Sequence, residues 1–273
     1  MLPCGETVPA LGQGTWNLGD DPRQRKEEIA SLRRGLDLGL TLVDTAEMYG
    51  DGRSEQLVGE AIAGRRAEVF LVSKVYPHNA SRQAMRRSCE ASLRRLGVET
   101  LDLYLLHWPG AVPLAETVEA FEALRRAGKI RHWGVSNFDP EAMQDLEQAP
   151  GGPAVQANQV LYNLGERGIE WDLLPWLRER RVPVMAYSPF DQGRLLRKRA
   201  LVAFAREHGM TPGQVALAWL LAQDGVIAIP KTGSALRLEE NAAALAHPLS
   251  AAQLAELDRL FPPPRGPTPL AML

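Results

Sequence analysis

Short apolar runs alternate with longer amphipathic stretches along the whole chain. The runs predict strands at Thr41–Val43, Val69–Val72, Leu101–Leu106, Arg131–Val135, Ala154–Gln156, Val184–Tyr187 and Val226–Ile229, and the segment around Leu11–Thr15 supplies an eighth. Their starts recur at intervals of roughly 23 to 42 residues, which leaves room for a helix after each strand rather than a hairpin turn. In Ser81–Leu96, Met85, Cys89, Leu93 and Leu96 recur at three- and four-residue steps while arginines fill the other faces. Ser81 is expected to cap that helix by accepting a backbone N–H bond, and Gly97 to supply the left-handed residue past its end. Thr211-Pro212 and Asp139-Pro140 each combine an N-cap with a proline at the first helical position. Eight such strand–helix units close most economically as an α/β fold of the (β/α)8 TIM-barrel type, one domain over residues 1–273 with a short tail at about 262–273. A doubly wound open sheet is the rival. Gly12 and Gly14 begin its glycine fingerprint, but Asn17 stands where the third glycine belongs.

Composition narrows the class. The 273 residues are 45% hydrophobic and 23% charged, enough apolar side chain for a sizeable core. A formal net charge of −2 offers no basic excess for nucleic acid. The longest apolar runs, such as Val215 to Ala222, fall short of the roughly 18 residues a membrane span needs, so no membrane association is expected. The start, MLPCGETVPALGQG, does not read as a signal peptide. The two cysteines, Cys4 and Cys89, have neither metal nor redox spacing, and the five histidines show no ligand spacing. A cytoplasmic protein with no metal is the expectation.

The informative residues are those that end the strands. Val43 leads into Asp44, Ser73 into Lys74 and Leu106 into His107. Val135 leads into Ser136-Asn137, Val155 into Asn158-Gln159, Ala186 into Tyr187-Ser188, and Pro230 into Lys231. In a barrel these ends converge on the face that carries active sites. With Tyr49, five residues beyond Asp44, they suggest proton chemistry. A buried lysine paired with aspartate stays cationic and is expected to draw the tyrosine's pKa of about 10 toward working pH. The hydroxyl would then act as general acid for an oxygen gaining negative charge, and His107 would orient that oxygen. Such a set protonates a reduced carbonyl but cannot donate a hydride, which calls for a nicotinamide cofactor. An isolated Asp–Lys pair, a histidine after a strand or a tyrosine in a Gly-rich loop is usually structural. Their coincidence at consecutive strand ends favours function.

These segments resemble the aldo-keto reductases from Gly12 through Asn241. Asp44-Thr45-Ala46-Glu47-Met48-Tyr49-Gly50 is similar to the family's first signature, Val72-Ser73-Lys74 to its lysine segment and Leu106-His107-Trp108-Pro109 to its histidine segment. Within the family the likeness is to the bacterial branch containing methylglyoxal reductase, through Glu99–Pro109, Gly128–Phe138, Gln156–Leu164 and Gly165–Arg178. The resemblance implies Tyr49 as general acid, Asp44 and Lys74 as its activating pair, and His107 as orienter. It places Ser136, Asn137 and Gln159 on the nicotinamide carboxamide, Tyr187 on the ring and Ser188 on the pyrophosphate. Lys231, Thr232 and Arg237 would clamp a 2′-phosphate, with Glu240 and Asn241 at the adenine, which implies NADPH over NADH. Leu40-Thr41 replaces a more usual aromatic–basic pair, and Thr232 stands where serine is common.

Trp16, Met48, Trp108 and Phe190 are expected to ring the nicotinamide, in a modest, rather open pocket for short aldehydes and dicarbonyls, methylglyoxal by resemblance. The basic patch Arg194, Arg197, Lys198 and Arg199 reads as a solvated helix face, with a place near the pyrophosphate as the alternative. The resemblance favours a monomer acting on a small carbonyl compound. A keto-sugar (diketogluconate-type) reductase and a cofactor-binding redox-sensing interaction protein with slow turnover remain alternatives. A lysine-dependent aldolase would need Lys74 unpaired, and Asp44 argues against that.

Overall fold

The computed structural model describes residues 1–273 and contains eight parallel strands in the order β1 to β8. They are β1 (Gln13–Gly14), β2 (Leu42–Asp44), β3 (Phe70–Val75), β4 (Leu101–Leu106), β5 (Ile130–Ser136), β6 (Asn158–Leu161), β7 (Val184–Tyr187) and β8 (Val226–Ala228). Parallel bridges Leu11–Ala228 and Gly14–Lys231 join the first strand to the last, through Gly12 N–H to Ala228 O and Gly14 N–H to Pro230 O, both 2.9 Å. The sheet therefore closes on itself as the (β/α)8 barrel that the strand–helix spacing predicts. Glycine is required at this seam, because a Cβ on Gly14 would meet Ile229 O at 2.8 Å.

The helices are α1 (Arg25–Asp37), α2 (Arg53–Ile62), α3 (Arg82–Leu96), α4 (Leu114–Arg126), α5 (Pro140–Gln148), α6 (Leu173–Glu179), α7 (Arg199–Glu207), α8 (Pro212–Leu221), α9 (Ala235–Ala243) and α10 (Ala251–Leu260). One follows each strand, except that β7 and β8 are each followed by two, and α9 packs on α1 to complete the outer ring. None is long and apolar enough to cross a membrane. Strand residues divide by parity into two cores. Leu42, Val72, Leu103, Leu105, Ala157, Met185 and Ile227 face the barrel interior together with Leu2 and Val8 from the N-terminal segment. Leu71, Val75, Tyr104 and Leu106 join the larger layer between strands and helices. Asp44, Lys74, Gln159 and Tyr187 share the inward parity, so each strand delivers its last polar side chain to the axis.

Asp139 accepts Ala142 N–H at 2.8 Å and Thr211 accepts Gln214 N–H at 3.2 Å, as their positions before proline predict. Gly97 has φ 65° and ends α3. Ser81 differs: it sits at the N-cap in extended conformation but makes no side-chain bond there. The sixth strand also lies later than Ala154–Gln156. Gly152–Ala154 forms a 3-10 turn, closed by Val155 N–H to Gly152 O, which delays regular pairing to Asn158.

Candidate active site

Asp44 ends β2, Lys74 lies in β3, His107 follows β4, and Tyr49 sits in the turn after β2. That turn reverses through three left-handed residues, Gly50 (φ 56°), Asp51 (φ 54°) and Gly52 (φ 82°). Lys74 is fully buried, with Nζ donating to Asp44 Oδ2 at 2.7 Å, Thr45 O at 2.9 Å and Tyr49 Oη at 3.1 Å. Gln159 Nε2 donates to the other Asp44 oxygen at 2.8 Å, and Thr15 Oγ1 to the Asp44 carbonyl at 2.9 Å. The ammonium thus has one fixed anion and two oxygen acceptors, of which only the phenol reaches the cavity. His107 lies edge-on to Tyr49, ring centroids 5.8 Å apart, and its buried Nδ1 has no partner.

Burial opposes the charge on Lys74, but Asp44, aided by the hydrogen bond to Tyr49, overcomes it and raises its pKa, so the lysine is cationic. Burial and Lys74 together push His107 down to about 3, so its ring is neutral. Tyr49 departs from the sequence-based expectation. Its pKa is raised, because burial and Asp44 outweigh the attraction of Lys74. The phenol keeps its proton at neutral pH.

A cavity of about 850 Å³ extends from this group to α9, at the upper end of the roughly 300–1,000 Å³ range of small-molecule clefts. Asp44, Tyr49 and His107 line it, with Lys74 sealed beneath them. Ser136, Asn137, Gln159, Tyr187 and Ser188 form its middle. Asn137 Nδ2 donates to His107 O at 3.1 Å, while Tyr187 donates its hydroxyl proton to Asn137 Oδ1 at 3.0 Å. Asn17, Asn137 and Ser188 hold left-handed φ of 62°, 58° and 49° at the ends of three strands, strain of the kind that accumulates at functional sites. Asparagine, at Asn17 and Asn137, tolerates this left-handed conformation better than most residues.

Lys231, Thr232, Arg237, Glu240 and Asn241 line the far end. Glu240 accepts the Thr211 hydroxyl, and Asn241 is 5% exposed with its Nδ2 unpartnered. Lys231 and Arg237 are exposed cations at the rim. Trp16, Met48 and Trp108 line the cavity near Tyr49 by sequence neighbourhood and ring contacts, Trp108 packing on His107 with centroids 4.9 Å apart. Phe190 belongs elsewhere: a Cβ on Gly213 would meet Phe190 Cε1 at 3.9 Å and Glu240 Oε1 at 3.4 Å. It stands at the α9 end, away from the ring of aromatics expected around Tyr49.

Two features differ from the reading of the sequence. The basic patch is split, with Arg197 lining the cavity, Arg194 paired to Asp191 at 2.6 Å and Lys198 facing a separate cavity of about 450 Å³. The tail also returns to the site. It passes Gly168, where Thr268 Oγ1 would lie 2.5 Å from a Cβ, and ends with Met272 and Leu273 lining the larger cavity. The Leu273 backbone reaches Tyr187, whose hydroxyl burial pushes up to about 12. No periodicity announces a tail that folds back.

The aldo/keto reductase family model matches residues 10–261. The chain is 55% identical over 272 residues to methylglyoxal reductase YeaE of Escherichia coli, covering 98% of this chain and 96% of that protein. Two structures of an aldo/keto reductase from Klebsiella pneumoniae superpose with TM-scores of 0.97. One, solved with NADP and acetate, is 51% identical and the other, solved with NADPH, 52%; each covers 100% of this chain and 98% of the other.

Proposed function

The chain belongs to the aldo/keto reductase family, and within it we propose that Tyr49, Asp44, Lys74 and His107 reduce short carbonyl compounds, methylglyoxal foremost, to alcohols. The enzyme is an NADPH-dependent carbonyl reductase. The observation that carries the residue assignment is the chain Asp44–Lys74–Tyr49, joined at 2.7 and 3.1 Å, with the ammonium sealed off and the phenol lining the cavity.

The residues fit NADPH. Asn241 carries a buried, unpartnered amide nitrogen, the donor an adenine ring nitrogen would satisfy. Lys231 and Arg237, with the Thr232 hydroxyl, are placed to hold the 2′-phosphate, and Arg197 adds a cation along the cavity. Glu240 and Phe190 complete the adenine end. Tyr187 would support the nicotinamide ring and Ser136, Asn137 and Gln159 would hold its carboxamide, with Ser188 at the pyrophosphate. When bound, NADPH supplies the hydride that the carbonyl carbon receives.

His107, neutral and beside Tyr49, orients the carbonyl oxygen as a hydrogen-bond donor without competing as an acid. Tyr49 gives its proton to that oxygen as negative charge develops there. The resulting phenolate lies beside the Lys74 ammonium, which Asp44 holds in place, and Gln159 fixes Asp44 from the other side. Trp16, Met48 and Trp108 shape the substrate end, narrowed further by Met272 and Leu273. A short dicarbonyl fits such a site better than a keto-sugar, which would need more polar contacts than this wall offers.

Loss of NADPH absorbance with methylglyoxal and a panel of aldehydes and keto-sugars tests the reading. Turnover with methylglyoxal that disappears in Tyr49→Phe supports it. Tight NADPH binding without turnover on any of them would favour a cofactor-sensing role instead.

A further inference from the structure

At the other mouth of the barrel the N-terminal segment turns back on itself, through Leu2 N–H to Glu6 O and Gly5 N–H to Leu2 O, both 2.9 Å. Leu2 and Val8 plug the barrel interior, and Cys4 N–H is fastened to Gln156 Oε1 at 2.9 Å. This turn carries Cys4 and Glu6 to His132 on β5. His132 Nε2 lies 2.7 Å from Glu6 Oε2 and 3.9 Å from Cys4 Sγ. The three donor atoms lie within 4.8 Å of one another.

We propose that Cys4, Glu6 and His132 form a binding site for a zinc-class divalent cation at the N-terminal mouth of the barrel. The geometry separates this from a Cys–His–Glu catalytic relay. A relay uses opposite nitrogens of the imidazole, one toward the thiol and one toward the carboxylate. Here thiol and carboxylate both face Nε2, so all three donors converge on one volume. Sulfur, imidazole and carboxylate together suit zinc, which takes three protein ligands and leaves a fourth position for water. Tetrahedral zinc bonds of about 2.0–2.3 Å separate ligand atoms by about 3.3–3.8 Å. Closing the site therefore asks the carboxylate to back away from Nε2 by about half an ångström and the exposed Cys4 thiol, within 4.8 Å of that carboxylate, to swing inward by up to about 1 Å.

An outer shell exists as well. Arg131 donates to Glu6 Oε2 at 2.8 Å and to Asp102 Oδ1 at 2.8 Å, and Asp102 in turn is held by Arg66 at 2.7 Å and by the Leu71 N–H at 2.8 Å. Hydrogen-bonded carboxylates of this kind orient metal ligands. The site joins residues about 126 positions apart, which is why ligand spacing along the chain does not reveal it. Its consequence is mechanical: the ion fastens the plug segment to β5.

Titrating the purified, metal-free chain with Co2+ reads the ligands directly. The expected result is a saturable thiolate-to-cobalt absorption band at one equivalent, abolished by Zn2+ competition, and lost in Cys4→Ser and in His132→Asn. Cys4→Ser keeps the buried Cys89, so a band surviving in that variant would assign the sulfur elsewhere and overturn the proposal. Absence of a band in the wild type, or cobalt binding without one, overturns it too. In parallel, Zn2+ raises the unfolding temperature of the wild type and leaves that of Cys4→Ser unchanged; equal shifts in both would refute the tether.

Discussion

His107 makes the acid stability of this protein calculable. Its pKa is about 3 in the fold, lowered by burial and by Lys74, against 6.5 for an exposed histidine. The unfolded chain therefore binds one more proton than the native state between these values, and stability falls as pH falls. The contribution is intact above pH 6.5, is lost progressively below it, and stops changing once the pH passes about 3. Between pH 7 and pH 4 the loss amounts to about 3 kcal/mol, from 1.36 kcal/mol per pH unit over the interval in which only the unfolded chain is protonated. His107→Gln keeps a polar side chain of similar reach but removes the titration. Urea unfolding of both proteins at pH 7 and pH 4 isolates the group, since every other carboxylate titrates equally in the two. The wild type should lose about 3 kcal/mol more than His107→Gln over that interval. Equal losses would mean that His107 is not held neutral, and the donor role assigned to it would fall with that result.

The remaining predictions concern the reaction and its cofactor. Tyr49→Phe should lower kcat by about 100-fold or more while NADPH affinity, read by fluorescence quenching, stays within a fewfold; near-normal kcat would remove Tyr49 as proton donor. Lys74→Met removes an ammonium 3.1 Å from the phenol oxygen, an attraction of about 5 kcal/mol at an effective dielectric of about 20. With part of that screened, kcat should fall about a thousandfold, and a fall of less than tenfold by stopped-flow would refute the charge argument. Lys231→Ala and Arg237→Ala should each weaken NADPH binding about tenfold and leave NADH binding unchanged. Equal losses for both cofactors would place the two cations away from the 2′-phosphate.

Much of this architecture was legible in the sequence because strand ends are fixed points of a barrel. Asp44, Lys74 and His107 each terminate an apolar run, and parity then decides that Asp44 and Lys74 turn inward. The sixth strand was misplaced because Gly151-Gly152-Pro153 folds as a tight turn, which hydrophobicity does not distinguish from the start of a strand. Phe190 lines the cavity beside Gly213, a placement that an aromatic three residues after β7 does not announce, having no periodicity to orient it. The return of Met272 and Leu273 depends on packing over Gly168, and the meeting of Cys4 with His132 on the barrel's closure. Neither leaves a local pattern.

The sign of the shift at Tyr49 was also invisible, because it turns on burial, and its consequence reaches the mechanism. A phenol with a lowered pKa would spend part of its time deprotonated and would have no proton to give. Burial and Asp44 instead keep Tyr49 protonated in the ground state, where it is neutral and draws little from the ammonium 3.1 Å away. As the proton leaves, the same pair becomes ion against ion in a site where water screens poorly. The attraction of Lys74 is then felt in the transition state far more than in the resting enzyme, which is the condition for it to raise kcat rather than to tighten binding. Asp44 serves that difference by keeping the lysine charged, and Gln159 by keeping Asp44 from turning toward the cavity.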